Sequence, residues 1–371
     1  MRGLTRWYNT LIVLLAIVLV LSACGGGSEP TVIPTRTPRP TFTYAPLSTS
    51  TPVPTPTMTA TPTPTTNPYY NPLSGQLVTD PAVLSRRPLH VRIGNDPQIR
   101  QWQAGLSQAE VVYEDIMDGW WDTRLTAVFL SEDPEALGPV RSARLVNLEL
   151  APQYDAALVH SGASDQIRWL ISQSTIVDLD EFFHPRPYYY VQGRDWRGRL
   201  FTSAEAVRKE LVTMGKEGPV ALKGFVFSPQ LPAGDAASYI RIPYPKAAIV
   251  EYRYDRESGR YMRYVQGEPH IDDNTDQAVG VENVIVQYVE HQATDIVEDS
   301  LGNTAIRIVL TGQGPVQIFR DGVVISGIWR RDKETDFTQY LDADGNPIPL
   351  KPGHTWVQLV PPDYKIEYKA E

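Results

Sequence analysis

The chain has 371 residues and a single cysteine, Cys24. A lone thiol near the N-terminus leaves the rest of the chain without a disulfide or a thiolate metal site, so its stability must come from burial. Histidine is scarce as well. The six histidines, at 90, 160, 184, 270, 291 and 354, show no ligand-pair spacing on a helix, and neither a metal nor a cofactor is expected. Positive charge is not in excess: the formal net charge is −9. That balance argues against nucleic acid as a partner, and any anion site must be a local patch working against the overall field. No repeat of fixed period is visible. No apolar run reaches the ~20 residues that a membrane-spanning helix needs.

The apolar run that is present, Leu11–Leu21, follows Arg2 and Arg6 and ends in Leu21-Ser22-Ala23-Cys24. A basic start, a short apolar stretch and small residues before a cleavage point describe a secretory signal peptide over residues 1–23. With cysteine in the last place, the segment resembles a bacterial lipobox. That resemblance implies lipidation at Cys24 and anchoring to the outer face of the cytoplasmic membrane. Losing Arg2 and Arg6 would make the mature chain more acidic still.

Residues 24–84 read as a disordered stalk. The stretch Pro30–Pro68 is mostly Thr and Pro. It offers too little apolar surface to offset its ordering entropy, and proline biases it to extended polyproline II.

The folded part then divides by pattern. Over 85–227, "RPLHVRIGN", "AEVVYEDIM", "TRLTAVFLS" and "DAALVHSG" predict strands. "SARLVNLELAPQY" predicts a helix with Ser142 at its N-cap, "SDQIRWLISQS" one capped by Ser164, and "SAEAVRKELVTMG" one running from Ser203 to Gly215. This is an α/β layered domain with a mixed sheet. Over 228–371 the pattern is mostly β, a sandwich or partly open barrel, with a hairpin turning at Arg256–Gly259. The fold class is therefore α+β.

Two strings, "RPLHVRIGNDPQIRQWQAGLSQAEVVYED" and "TRLTAVFLSEDPEALGPVRSARLVNLELAPQYDAALVHSG", resemble the N-terminal part of the YerB-like family of bacterial lipoproteins. The later "YDRESGRYMRYVQGEPH", "NVIVQ" and "DGVVISGIWRRDKETDFTQYLDADGNPIPLKPGHTWVQLVP" resemble its C-terminal part. The resemblance covers nearly everything after the stalk, and "GPVRSAR" is its most specific piece. It implies a two-part domain of unknown function on a lipid-anchored surface protein, and no reaction. Glu110 and the stretch 118–121 depart from the family's pattern, which leaves Glu110 without support as a metal ligand or base.

Candidate chemistry centres on "GPVRSAR", residues 138–144. Arg141 and Arg144, three apart at a helix start, would share one face about 5–6 Å apart at Cβ. With Arg124 as a third member they would form an anion cradle, since guanidinium forks take phosphate or carboxylate bidentately. The competing reading is that they pair with Glu114, Asp115, Asp155 or Glu149 and lock strands together. His160 and Ser161 follow a buried strand, at the carboxyl-end position where open α/β sheets gather ligands. They would serve as acid/base and nucleophile, with Asp155 or Glu114 orienting the histidine, or else as hydrogen-bonded structural residues. The local string "HSGASD" is not a nucleophile elbow. "DADGN", 342–346, starts like a calcium loop but lacks the later Glu, so it reads as a tight turn. "DLDEFFH", 178–184, is either a calcium-binding or a solvated acidic loop. "HPRPYYYVQGRDWRGRLF", 184–201, interleaves aromatics and arginines. It either stacks on sugars or caps the core.

Two functional classes follow. One is a non-catalytic surface module or envelope scaffold that binds a cell-wall glycan, an anionic polymer or an envelope protein through an arginine-lined groove. The other is an envelope enzyme, a phosphotransferase or hydrolase acting on a phosphorylated wall component. The absence of a well-formed nucleophile, base and metal set favours the first.

Overall fold

The computed structural model describes residues 67–370. The expected signal peptide, Cys24 and the expected stalk up to residue 66 lie outside the described residues.

Packed structure starts before residue 85, where the stalk was expected to end. Leu73 is fully buried in the main core, and Asn71 donates from Nδ2 to Glu110 Oε1 at 3.0 Å. The sequence "YYNPLSG" resembles linker but supplies an apolar side chain and an amide that the core uses.

Three strands follow: β1 (Leu89–Gly94), β2 (Val111–Ile116) and β3 (Thr123–Phe129). β3 lies between the other two and antiparallel to both. Beyond them come α1 (Leu145–Tyr154), β4 (Ala157–His160), α2 (Asp165–Gln173) and β5 (Val177–Asp180). β4 pairs parallel with β1, and β5 parallel with β4. A short ribbon of β6 (Tyr188–Tyr190) and β7 (Leu200–Thr202) leads to α3 (Ala204–Thr213). Ser203 Oγ caps α3 by accepting from Ala206 N at 3.2 Å, and Gly215 leaves it at φ +65°, as the sequence predicts.

After residue 228 the described chain has no helix. β8 (Tyr239–Ile242), β9 (Val250–Asp255) and β10 (Arg260–Val265) form an antiparallel sheet. The hairpin at Arg256–Gly259 is present, with Asp255 accepting from Glu257 N and Ser258 N. β11 (Asn283–Tyr288), β12 (His291–Val297), β13 (Thr304–Ile308), β14 (Gly312–Arg320), β15 (Val323–Arg331), β16 (Gln339–Leu341) and β17 (Thr355–Val360) complete the main elements.

The two patterned halves share one sheet. β17 pairs parallel with β2 on one side and with β11 on the other. The order β16-β15-β14-β11-β17-β2-β3-β1-β4-β5 therefore runs without a break from the C-terminal half into the N-terminal half. The change near residue 228 is a change of element type, and the packing is continuous across it. No closed barrel forms: the antiparallel sheet β8–β10 lies against one face of the long sheet, through Arg263 and Tyr252 onto Glu114 and Gln358. The opposite face is covered by α1, whose Asn147 donates to Thr126 Oγ1 at 3.1 Å and whose Tyr154 packs edge-on to His90. The β12–β13 hairpin joins that layer through Ile296 and Ala305, which cluster with Ala143, Leu158, Ile167 and Ile171.

Candidate functional site

The carboxyl ends of β1, β4 and β5 fall at one edge of the sheet, and the β3 N-terminus lies there too, with Gly94 opposite Arg124. "GPVRSAR" is strung across this edge. Its backbone is held by bonds from Arg141 N to Arg92 O, from Ala143 N to Gly162 O and from Ser161 N to Arg141 O. These bonds keep residues 141–143 out of the helix. α1 accordingly starts at Leu145 with Arg144 at its N-cap, not at Ser142. The helical i,i+3 argument for Arg141 and Arg144 fails, because Arg141 precedes the helix. The segment still brings the two together with Arg124.

The three arginines have different partners. Arg144 is tied: its Nε meets Asp118 Oδ1 at 2.7 Å and Glu298 Oε2 at 3.4 Å. Neither acid is among the four carboxylates expected from sequence. Arg124 is 5 % exposed and makes one side-chain hydrogen bond, from Nη1 to Ser142 O at 3.1 Å. Its Nε is buried and unpartnered, and no carboxylate pairs with it among the described residues. Arg141 likewise has a buried, unpartnered Nε and no described ion pair, and its guanidinium lies over the Trp196 ring, 5.0 Å from the centroid. Arg92, behind them, is neutralised by Asp115, with Nη2 to Oδ2 at 2.7 Å.

Burial, reinforced by the like charges of Arg144, Arg141 and Arg92, holds Arg124 well below the ordinary guanidinium range. Arg141 is pushed down by burial first. Asp96 opposes that effect, while Arg144 and Arg197 add to it. An anion beside them would offset the like-charge repulsion and favour the charged form of both. Gly94 lets the Arg141 stem pack at this edge: a Cβ there would stand 2.6 Å from Arg141 Cγ and 2.6 Å from Ile99 Cδ1.

His160 and Ser161 lie at the same edge, but each is engaged. His160 is fully buried, with Nε2 at 2.7 Å from Asp178 Oδ1 and Nδ1 at 2.9 Å from Gly162 O. Asp178 orients it, in place of the expected Asp155 or Glu114. Ser161 Oγ donates to Glu181 Oε2 at 3.3 Å, and the other oxygen of Glu181 takes the Tyr190 hydroxyl at 2.6 Å. Asp155 instead pairs with Arg87 at the far end of α1. Glu114 is on the opposite face of the sheet and outside the edge. It accepts from Thr123 Oγ1, Arg263 Nη2, Trp356 Nε1 and Gln358 Nε2.

Other sequence candidates resolve as structural ties. Glu110 accepts from Asn71, from the backbone amides of Leu130 and Ser131, and from the Ser131 hydroxyl. Asp342 closes the "DADGN" turn by accepting from Asp344 N and Asn346 N. In "DLDEFFH", Asp180 is buried and accepts from Gly162 N, Phe182 N and Arg168 Nε. A cavity of about 210 Å³ lined by Lys223, Gly224, Arg331 and Phe337 is also present, but Arg331 there already donates to the carbonyls of Glu334 and Asp336. Sequence reasoning did not single out Asp96, Asp118, Glu298 or Gly94. The string Gly94-Asn95-Asp96 at a strand end was the one available signal.

The molecule is thus an α+β protein whose two chain segments complete one mixed sheet and present an arginine-lined edge. Models of the two halves of one family match it: "Protein of unknown function (DUF3048) N-terminal domain" over residues 73–217 and the C-terminal domain of the same description over 240–357. The chain belongs to this YerB-like family. It is 30 % identical over 308 residues to the Bacillus subtilis (strain 168) protein named "Putative lipoprotein YerB", covering 78 % of this chain and 86 % of that one. The crystal structure of YerB protein from Bacillus subtilis matches with a TM-score of 0.70 at 27 % identity, over 80 % of this chain and 99 % of that chain. No helix among the described residues is long and apolar enough to cross a membrane.

Proposed function

We propose that this protein is a non-catalytic binding module of the cell envelope, tethered through lipid on Cys24 to the outer face of the cytoplasmic membrane. In this reading it holds an anionic group of an envelope ligand at the Arg124–Arg141 edge. One observation carries the reading: a buried guanidinium, Arg124, and a half-buried one beside it, Arg141, each with a buried and unpartnered Nε, lack a described carboxylate partner, while Arg92 and Arg144 beside them are each matched to acids. Burying unmatched charge is costly, and an anion from outside is the economical complement. Charge-assisted bonds of this kind contribute about 1.5–3 kcal/mol each. The binding reading is preferred to an envelope enzyme because the Ser161 hydroxyl faces Glu181, and His160 has both nitrogens committed.

The test is calorimetric titration of residues 64–371 with inorganic phosphate and pyrophosphate, in the parent and in Arg141→Ala. Binding lost in a variant of unchanged melting temperature supports the site, and equal binding by both refutes it. In the full chain, Cys24→Ala should release the protein from the membrane fraction, and retention would refute the tether.

A further inference from the structure

The edge continues past Arg141 along the 181–199 segment, where the arginines are placed in an unusual way. Trp196, 58 % exposed, carries Arg141 at 5.0 Å and Arg197 at 4.8 Å from its ring centroid. Tyr190, 50 % exposed, carries Arg199 at 5.2 Å. Neither Arg197 nor Arg199 has a described carboxylate within ion-pair distance, whereas the neighbouring Arg168, Arg186 and Arg194 are paired with Asp180, Glu210 and Asp273. A guanidinium held over a ring loses side-chain freedom and can still offer N–H groups to an anion. Arg197 also lies close enough to Arg141 to depress it electrostatically. Arg124, Arg141, Arg197 and Arg199 thus extend from a buried end toward solvent on an otherwise acidic protein.

We infer that this row is a track for a linear, base-free polyanion, one anionic group entering the Arg124–Arg141 end and successive groups meeting Arg197 and Arg199. The inference rests on the anion reading of the Arg124–Arg141 end and names the ligand class for it. Repeated charge is the natural complement to guanidiniums spaced along an edge. A nucleic acid is disfavoured because each of the two rings along the row has at least one face under an arginine, which leaves no regular array of bare faces for successive bases.

The experiment titrates residues 64–371 with inorganic phosphate, pyrophosphate, long-chain polyphosphate, poly-glutamate and a single-stranded oligonucleotide, across a salt series. The variants are Arg197→Ala/Arg199→Ala, at exposed or half-buried positions, and Arg141→Ala. Affinity should rise from phosphate to the long chain. The double variant should lose about tenfold or more for the long chain, with its salt slope reduced by roughly 1–2, while inorganic phosphate binding holds. Arg141→Ala should lose all of them. Tight binding of polyphosphate marks phosphate groups as the natural charge, and of poly-glutamate, carboxylates; either supports the track. Long-chain binding unchanged in the double variant, with inorganic phosphate still bound, overturns the track and leaves the anion site standing. Absence of any anion binding by the parent overturns both. Oligonucleotide binding tighter than polyphosphate overturns the base-free assignment.

Discussion

Arg263 Nη2 lies 3.0 Å from Glu114 Oε2, both side chains fully buried, across 149 residues of sequence. The contact joins β10 of the C-terminal half to β2 of the N-terminal half, and Trp356 and Gln358 of β17 bond the same carboxylate. Arg263 also lies over Trp356, 4.3 Å from its ring centroid. Glu114→Gln preserves shape but leaves a guanidinium buried without its counter-charge. The expected cost is about 3–5 kcal/mol of stability. Adding Arg263→Met should recover a good part of it, since an apolar pair of similar volume removes the uncompensated charge. Chemical denaturation of the two single variants and the double variant measures the coupling, and additive losses would show that the pair is not the tie described.

The shared sheet makes a related prediction about chain division. A cut between residues 227 and 228 takes β17 away from β2, exposing a sheet edge and the polar cluster around Glu114. Residues 64–227 alone should lack cooperative thermal unfolding, and mixing with 228–371 should restore it. A separately folded, cooperative N-terminal fragment would show that the halves are independent.

Strand and helix identity was largely legible because β1, β3, α2 and α3 carry clean periodicity and α3 a serine cap. The burial of the polar residues inside the strands was not legible. His90 and Arg92 in β1, and Arg124 and Thr126 in β3, alternate with apolar residues, the pattern of a strand with one solvated face, yet they and the consecutive Glu114 and Asp115 of β2 are all buried. Only the tertiary arrangement shows which layer covers each face: α1 over His90 and Thr126, and the second sheet over Glu114. The same limit applies to the site. "GPVRSAR" named two of its arginines, and one of the two carboxylates that match Arg144 arrives from Glu298, 154 residues later. No local spacing encodes that contact. Leu73 entered the core from a segment whose composition reads as linker, because one apolar side chain is too little signal against its polar surroundings.

Gly94 offers a probe of the anion site that leaves every charge in place. A Cβ there would collide with the Arg141 stem and with Ile99. Gly94→Ala should therefore push Arg141 off its position and weaken pyrophosphate binding several-fold. Overpacking of this kind typically costs about 1–3 kcal/mol of stability. Titration read beside the melting curve separates the two effects. Unchanged affinity in a destabilised variant would mean that Arg141 does not touch the ligand.

Acid should weaken the fold through its histidines. His90 is fully buried, with both ring nitrogens unpartnered and Tyr154 edge-on at 4.8 Å, and burial pulls it from 6.5 down to about 3. It stays neutral in the fold, while the unfolded chain takes up a proton below 6.5. The resulting stability is therefore fully present above about pH 6.5 and is lost as the pH falls toward 3, at roughly 1.4 kcal/mol per pH unit. His270 is lowered in the same direction by burial, then by Arg263 and Arg100, and His291 is lowered by burial, so the three losses add. His90→Leu keeps the apolar packing on Tyr154 and removes one titrating group. Its unfolding free energy, followed from pH 7 to pH 4, should fall less steeply than the parent's by about one proton's worth of slope. Parallel curves for the two proteins would place the acid sensitivity elsewhere.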